Sequence, residues 1–178
     1  MAKKVLILSG SPRVKGNSDL LCDEFLRGVK DAGNDGEIMR IASKKIGFCT
    51  GCETCAKTKK CFQQDDMYEI LLKMSKAQVI VLATPVYFYS MDGQMKTLID
   101  RTLPIYTELK DKEFYIILTA AETNKEIMQP TVDGFRGFFD CLENPKEKGI
   151  LYGLGVWKKG EVKETTLMEE AYKMGSMV

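Results

Sequence analysis

The sequence predicts a doubly wound α/β fold, in which helices cover both faces of a five-stranded parallel sheet. Two observations carry this prediction. Short apolar runs of strand length alternate along the 178 residues with segments whose apolar residues recur every three or four positions. The run Gln78–Ala83 (QVIVLA) is apolar after its first residue, as a central parallel strand should be. There is no internal repeat or low-complexity linker, so we expect residues 1–178 to form one domain.

Five segments are predicted to be strands: Lys4–Ser9, Glu37–Ala42, Gln78–Ala83, Phe114–Ala120 and Ile150–Trp157. Five helices are expected to alternate with them, each with one apolar face. These faces are Leu21, Phe25 and Val29 in Asn17–Ala32; Met67, Ile70, Leu71 and Met74 after Asp65-Asp66; Met95, Leu98, Ile99 and Leu103 after Asp92; Val132, Phe135, Phe139 and Leu142 after Pro130; and the apolar residues of Lys163–Met174. Right-handed crossovers leave few topologies for this pattern. We choose the flavodoxin-like strand order 2-1-3-4-5.

In that strand order, ligands bind at the carboxyl ends of strands 1 and 3, where the strand order reverses. The loops that follow Leu8, Ala83 and Thr119 are therefore the candidate binding loops. A cysteine-rich loop, residues 47–62, has no helical or strand period and interrupts the pattern after strand 2. The predicted strand order therefore locates the ligand crevice without reference to the cysteine loop.

Composition narrows the classes of function. Lys and Arg (26) nearly balance Asp and Glu (25), so no charge excess indicates a nucleic acid or membrane partner. No segment approaches the ~18 consecutive apolar residues of a membrane helix, and the run Val5–Leu8 is too short for a signal peptide. We therefore expect a cytoplasmic protein. The absence of histidine removes catalytic triads and histidine-ligated metals.

The loop after the first strand, residues 9–18, brings polar side chains to a helix N-terminus, where free N–H groups and the helix dipole favour an anion. It matches neither G-x-G-x-x-G nor G-x-x-x-x-G-K-[ST], so dinucleotide and ATP P-loop sites lack their motif. The alternative is a loop whose serine or asparagine only caps the helix. The candidate phosphate ligands are Ser9, Ser11, Arg13, Asn17 and Ser18.

The motif G-S-P-R-x-x-G-N-S at residues 10–18 resembles that of the NADPH-dependent FMN reductase and iron–sulfur flavoprotein group of the flavodoxin-like superfamily. The stretch Thr84–Met91 and its continuation through Gly93–Lys96 to Asp100-Arg101 resemble the same group, and the likeness covers roughly residues 3 to 120. The resemblance implies that the 9–18 loop holds the phosphate of FMN. It also implies that the 84–91 loop runs beside the isoalloxazine ring.

Independently of this resemblance, the Thr84–Met91 loop is suited to contact a planar ring, because it follows the central strand and carries aromatic side chains. We take Thr84, Pro85, Val86, Tyr87 and Phe88 as candidate flavin contacts, and Thr119 and Ala120 as candidates for the other side of the ring. Alternatively Phe88, Tyr89 and Met91 lie at a subunit interface, because flavodoxin-like reductases often form dimers and tetramers. We expect a homodimer or homotetramer.

Four cysteines crowd into the spacing Cys49-x2-Cys52-x2-Cys55-x5-Cys61. Two C-x-x-C steps let one loop surround a cluster with three thiolates, and a short extension supplies the fourth. The spacing resembles the bacterial ferredoxin run, although the last interval is longer and no proline follows. It also resembles the motif of iron–sulfur flavoproteins, which implies a [4Fe–4S] cluster. Cys22 and Cys141 are interpreted as small buried residues on helices.

Three other interpretations of the cysteines stay open. Zinc also accepts four thiolates, but structural zinc sites usually separate two C-x-x-C knuckles by ~15 residues or more. Disulfides are not expected in a cytoplasmic protein. The third alternative is a flavin reductase that keeps its thiols free.

The leading functional hypothesis is an oxidoreductase that passes electrons between a [4Fe–4S] cluster and FMN. The alternatives are an NAD(P)H-dependent FMN or quinone reductase without a cluster, and an FMN electron carrier with no substrate. Lys57, Lys59 and Lys60 fall between the last two cysteines of the motif. They are either a solvated loop face or a surface that attracts an acidic donor, so we expect a ferredoxin-type donor or NAD(P)H.

Overall fold

The computed structural model describes residues 2–178. The main sheet has the order β2-β1-β3-β5-β6, with its neighbouring strands parallel, and short β4 pairs antiparallel with the end of β3. The strands are Lys4–Ser9 (β1), Asp35–Arg40 (β2), Val79–Tyr87 (β3), Ser90–Met91 (β4), Glu113–Thr119 (β5) and Lys146–Gly153 (β6). The predicted order 2-1-3-4-5 is confirmed, with β4 as an added hairpin strand.

Six α-helices accompany the sheet: Asn17–Asp31 (α1), Thr54–Thr58 (α2), Met67–Lys76 (α3), Gly93–Asp100 (α4), Gln129–Phe139 (α5) and Leu167–Ser176 (α6). Short 3-10 turns occupy Ile41–Ser43, Tyr106–Glu108, Lys125–Met128 and Glu161–Glu164. None of the helices in residues 2–178 combines the length and the apolar character needed to cross a bilayer.

Alternate residues of the strands feed two hydrophobic cores. Val5 and Ile7 face a core that includes α1 and α6, whereas Leu6 and Leu8 face the core of α3, α4 and α5. Helices α1 and α6 approach so closely that a Cβ on Gly175 would lie 2.1 Å from the Phe25 carbonyl oxygen. Both faces of the sheet are thus covered, and ligands of such sheets bind at the carboxyl ends of the strands.

Several predicted boundaries were wrong. The strand predicted at Ile150–Trp157 ends at Gly153, because the chain turns at Gly155, whose φ is +70°. The helix predicted at Lys163–Met174 begins only at Leu167, after a 3-10 turn. Leu103 is 44% exposed beyond the end of α4.

The two cysteines outside the motif differ from each other. Cys22 is buried in α1, and burial raises the pKa of its thiol above the normal range. Cys141 was predicted to be buried, but it is exposed just beyond the end of α5, and its thiol lies 3.4 Å from the Gly137 carbonyl oxygen. Only one of the two therefore serves as a core residue.

Candidate functional site

Loops from the carboxyl ends of β1, β3 and β5 enclose a cavity of about 620 Å³. The segment after β6 forms its fourth wall. Ten of the twelve residues predicted to bind cofactor line the cavity: Ser11, Arg13, Asn17, Ser18, Pro85, Val86, Tyr87, Phe88, Thr119 and Ala120. The fold therefore brings the predicted loops together at the switch point of the sheet.

The N-terminus of α1 opens onto this cavity without a side-chain cap. The N-cap residue is Gly16, and no described side chain accepts a capping hydrogen bond there, so the alternative of a capping serine or asparagine was wrong. The first N–H groups of an α-helix have no partner within the helix, and at this end they favour an anion. The end of α1 is thus available to a ligand.

Polar side chains around this helix end are tied to neighbouring loops. Ser18 Oγ lies 2.6 Å from Thr119 Oγ1. Arg13 Nη1 donates to the Trp157 carbonyl oxygen at 3.0 Å, and Asn17 Nδ2 donates to the Lys158 carbonyl oxygen at 3.0 Å. The first contact joins the 9–18 loop to the end of β5, and the other two hold it against the segment after β6, which no local sequence pattern could indicate.

The remaining two predicted residues do not line the cavity. Ser9 is fully buried at the end of β1. Thr84 is also buried, and its Oγ1 accepts from the Asp92 amide at 2.9 Å and donates to the Pro85 carbonyl oxygen at 2.8 Å. Thr84 therefore joins the end of β3 to the start of α4.

Asp92 is a residue of this region that the sequence analysis used only as a helix boundary. Its side chain is 1% exposed, caps α4 by accepting from the Met95 amide at 2.8 Å, and leaves Oδ2 without a hydrogen-bond partner. Burial raises its pKa to about 6. A Cβ on Gly10 would lie 2.7 Å from Asp92 Oδ1, so only glycine lets the 9–18 loop rest on this carboxyl group.

Strands β3 and β4 form a hairpin whose two turn residues, Phe88 and Tyr89, both have positive φ, at 49° and 62°. This conformation is typical of Asn and Gly and is strained for aromatic residues. Phe88 is fully exposed and Tyr89 is 61% exposed, and both line the cavity. Met91 was considered for a subunit interface, but it packs in the core and is 9% exposed.

Sequence reasoning missed most of the fourth wall. Val156 and Trp157 line the cavity, and the Val156 amide donates to the Ala120 carbonyl oxygen at 2.9 Å. Trp157 is 66% exposed, and its ring lies 5.9 Å from the Arg13 guanidinium carbon. The available sequence signal is a tryptophan followed directly by Lys158 and Lys159. The segment had been assigned to a strand instead.

The cysteine segment lies apart from the cavity, on the exposed stretch between β2 and α3. Cys49 and Cys52 are exposed, Cys55 and Cys61 are partly buried, and all four thiols are free. Hydrogen bonding with the Thr54 side chain and backbone lowers the pKa of Cys52. Among residues 2–178, no group of three or more Cys, Asp or Glu side chains is gathered closely enough to hold a metal ion.

A buried ion pair stands at the base of this segment. Arg101 Nη1 lies 2.8 Å from Asp65 Oδ2, and the arginine is 2% exposed. Burial alone would raise the pKa of Asp65, but hydrogen bonds from Arg101 and from the Gly47 and Met67 amides outweigh it and lower the pKa. A second cavity of about 620 Å³ lies beside the pair, lined by the end of the cysteine segment, α3 and residues 104–108.

Comparison with known proteins places this architecture in a family. The sequence model described as "NADPH-dependent FMN reductase" matches residues 3–129. An iron–sulfur flavoprotein of Archaeoglobus fulgidus is 42% identical over 101 residues, which is 57% of this chain and 46% of that protein. One from Methanocaldococcus jannaschii is 36% identical over 138 residues, which is 76% of this chain and 71% of that protein.

The matched region thus spans less than half of the Archaeoglobus protein. Among solved structures, an NAD(P)H:quinone oxidoreductase from Methanothermobacter marburgensis superposes with a TM-score of 0.76 over 99% of this chain and 96% of that one. At 16% identity this likeness speaks for the fold alone. The chain belongs to the NADPH-dependent FMN reductase family, has iron–sulfur flavoproteins among its relatives, and adopts a flavodoxin-like fold.

Proposed function

We propose that this chain is an FMN-dependent oxidoreductase that also binds a [4Fe–4S] cluster through Cys49, Cys52, Cys55 and Cys61. The observation that carries the flavin part is the cavity at the carboxyl edge of the sheet. There an uncapped helix N-terminus meets an aromatic hairpin, and these features match the phosphate and the ring of FMN. The matching family model supports the choice of FMN.

In this proposal the phosphate lies at the N-terminus of α1. Arg13 and Asn17 each retain N–H donors beyond those that bind the backbone of residues 157 and 158. Those donors, the hydroxyl groups of Ser11 and Ser18, and the first amides of α1 hold the phosphate oxygens. The two backbone contacts keep the side chains in place before the ligand arrives, which reduces the entropy lost on binding.

The ring lies between two walls of the cavity. Pro85, Val86 and Tyr87 from the end of β3 form one wall, and Thr119 and Ala120 from the end of β5 form the other. Thr84 and Asp92 hold the first wall by hydrogen bonds. When bound, FMN supplies the one- and two-electron chemistry that no side chain of this protein provides.

The donor set of the cysteine segment fits a cluster, although its side chains are not gathered. Four thiols and no histidine favour iron–sulfur or zinc binding over most other metals. Because the segment is exposed and contains Gly51, Glu53 and Lys59 in left-handed conformations, its cysteines can converge without disturbing the core. The names of the relatives support the cluster over zinc.

The electron donor we propose is a small acidic carrier of the ferredoxin type. Lys57, Lys59 and Lys60 are exposed, and none of them forms an ion pair with another described residue. Unpaired cations beside the thiols raise the association rate of an acidic partner, and salt screens that attraction over ~10 Å at 0.1 M. Stopped-flow reduction should therefore be fast at low salt and slower at high salt. Changing the three lysines to glutamine should slow it with no change in cofactor content.

The second candidate is an NAD(P)H-dependent reductase without a cluster. The matching family model favours it. Anaerobic purification followed by iron, sulfide and FMN analysis separates the candidates, because only the first requires about four iron atoms per chain. Rapid reduction by NADPH together with no reaction from reduced ferredoxin would reject the proposed donor.

A further inference from the structure

Arg101, the first residue after α4, joins both ends of the cysteine segment. Its Nη1 donates to the Gly47 carbonyl oxygen at 2.5 Å, before the first cysteine, and to Gln63 Oε1 at 3.2 Å, after the last one. Its Nη2 lies 3.5 Å from Cys61 Sγ. One guanidinium group thus closes the base of the loop that carries all four motif cysteines.

This guanidinium is kept in place by a partner that also binds the loop ends. Asp65 accepts from both terminal nitrogens of Arg101, at 2.8 and 3.0 Å, and from the Gly47 amide at 2.9 Å. A buried arginine requires such pairing, and the two-pronged geometry fixes its orientation as well as its charge. Lysine cannot reproduce this fork.

Helix α4 connects the cavity at the sheet edge to Arg101 and its contacts with Gly47, Gln63 and Asp65, which together form a clasp. Asp92 caps the start of α4 beside Gly10, and Arg101 follows its last residue. They are nine positions apart, which is about 14 Å at the rise of an α-helix. Helix α4 therefore spaces the cysteine loop from the flavin cavity.

We propose that Arg101 is a positioning residue for the cysteine loop: it holds the loop ends together and presents the Cys61 sulfur for cluster assembly. This inference rests on the proposed cluster. It adds a residue outside the cysteine motif to the requirements for binding it. Without the clasp, the loop loses the three contacts by which Arg101 joins its two ends. The Asp65 contact with the Gly47 amide remains, and α4 and the cavity at the sheet edge keep their own contacts.

The test compares Arg101→Lys with Arg136→Lys in the FMN-loaded full chain. Arg136 makes an equally two-pronged pair with Glu147 on an exposed surface, so it controls for the loss of such a pair. We expect trypsin to cut after Lys57, Lys59 and Lys60 about tenfold faster in the Arg101 variant before reconstitution, because one anchoring network is lost. Iron and sulfide after anaerobic reconstitution should fall below half of the wild-type content.

FMN affinity separates positioning from general instability: it should stay close to wild type in Arg101→Lys, although the lost buried hydrogen bonds lower the denaturant midpoint. Gln63→Ala, which removes an acceptor for Arg101 and a donor to the Phe48 carbonyl oxygen on a partly exposed loop, should accelerate cutting by roughly threefold. Unchanged cutting and unchanged iron in both variants would overturn the clasp. If the wild-type protein itself holds no iron, the proposed cluster fails, and the trypsin comparison still decides whether Arg101 anchors the loop.

Discussion

The cavity at the carboxyl edge of the sheet and the cysteine segment are built in different ways. The cavity walls come from four loops that are joined by hydrogen bonds such as those between Ser18 and Thr119 and between Arg13 and the Trp157 carbonyl oxygen. The cysteine segment is mostly exposed and is anchored at its base through Arg101. A pre-formed cavity suits a ligand that binds to a folded protein, whereas a loop with ungathered thiols suits a metal group that completes the local structure as it binds.

The largest expected effect concerns the cysteine segment. Changing any one of Cys49, Cys52, Cys55 or Cys61 to serine should remove nearly all iron and sulfide, because a cubane cluster needs four ligands. FMN content should persist, since the cavity lies on other loops. Metal and flavin analysis of anaerobically prepared protein measures both, and Cys141→Ser is the matched control because its thiol is also exposed. Full iron content in Cys61→Ser would show that the fourth ligand is misassigned.

The next effect concerns the cavity. Arg13→Ala combined with Asn17→Ala should weaken FMN binding by about tenfold or more, because hydrogen bonds to a charged phosphate contribute ~1.5–3 kcal/mol each. Quenching of flavin fluorescence on titration gives the dissociation constant. Arg27 is an exposed arginine of α1 that pairs with Glu24, and Arg27→Ala should leave that constant unchanged. Equal FMN affinity in the double variant and the control would show that this loop does not bind the phosphate.

A smaller effect tests how rigidly the 9–18 loop rests on Asp92. Gly10→Ala should lower the free energy of unfolding by about 1–3 kcal/mol, because its Cβ would meet both carboxyl oxygens at 2.7 and 2.8 Å. Gly93→Ala is the control, since no heavy atom lies within 4 Å of its added Cβ. It should change stability by no more than about 0.5 kcal/mol. Urea denaturation of both variants would show whether the two glycines differ as expected.

The same carboxyl group should also give a pH dependence. Burial raises the pKa of Asp92 to about 6, so the folded protein binds this proton more tightly than the unfolded chain does. The contribution of Asp92 to stability is therefore fully present below pH ~4 and is lost as the pH rises through about 6.

The variant Asp92→Asn keeps an acceptor for the Met95 amide but does not titrate. Relative to wild type, it should gain about 1–3 kcal/mol in unfolding free energy between pH 4 and pH 7. Urea denaturation across that range checks the gain. A difference between the two proteins that does not vary with pH would mean that Asp92 is solvated in solution.

Local sequence was sufficient where a pattern acts over neighbouring residues. Strand Lys4–Ser9 was predicted at both ends, because a buried apolar run is followed by a Ser-Gly-Ser-Pro turn. The hairpin at Phe88 and Tyr89 was not predicted, because positive φ at two aromatic residues contradicts the residue preferences of tight turns. Trp157 was misassigned because the turn at Gly155 is stabilised by contacts with the distant loop after β5.

By itself the sequence determined the alternation of strands and helices, the polar loop at the start of α1 and the spacing of the four cysteines. These features depend on residues within a turn or two of one another, so periodicity and motif spacing report them. The tertiary structure alone decided that Asp92 lies beneath Gly10 and that Arg101 meets Cys61, 40 residues away in the chain. Burial, and the partner that a buried charge requires, are set by which distant segments the sheet brings together.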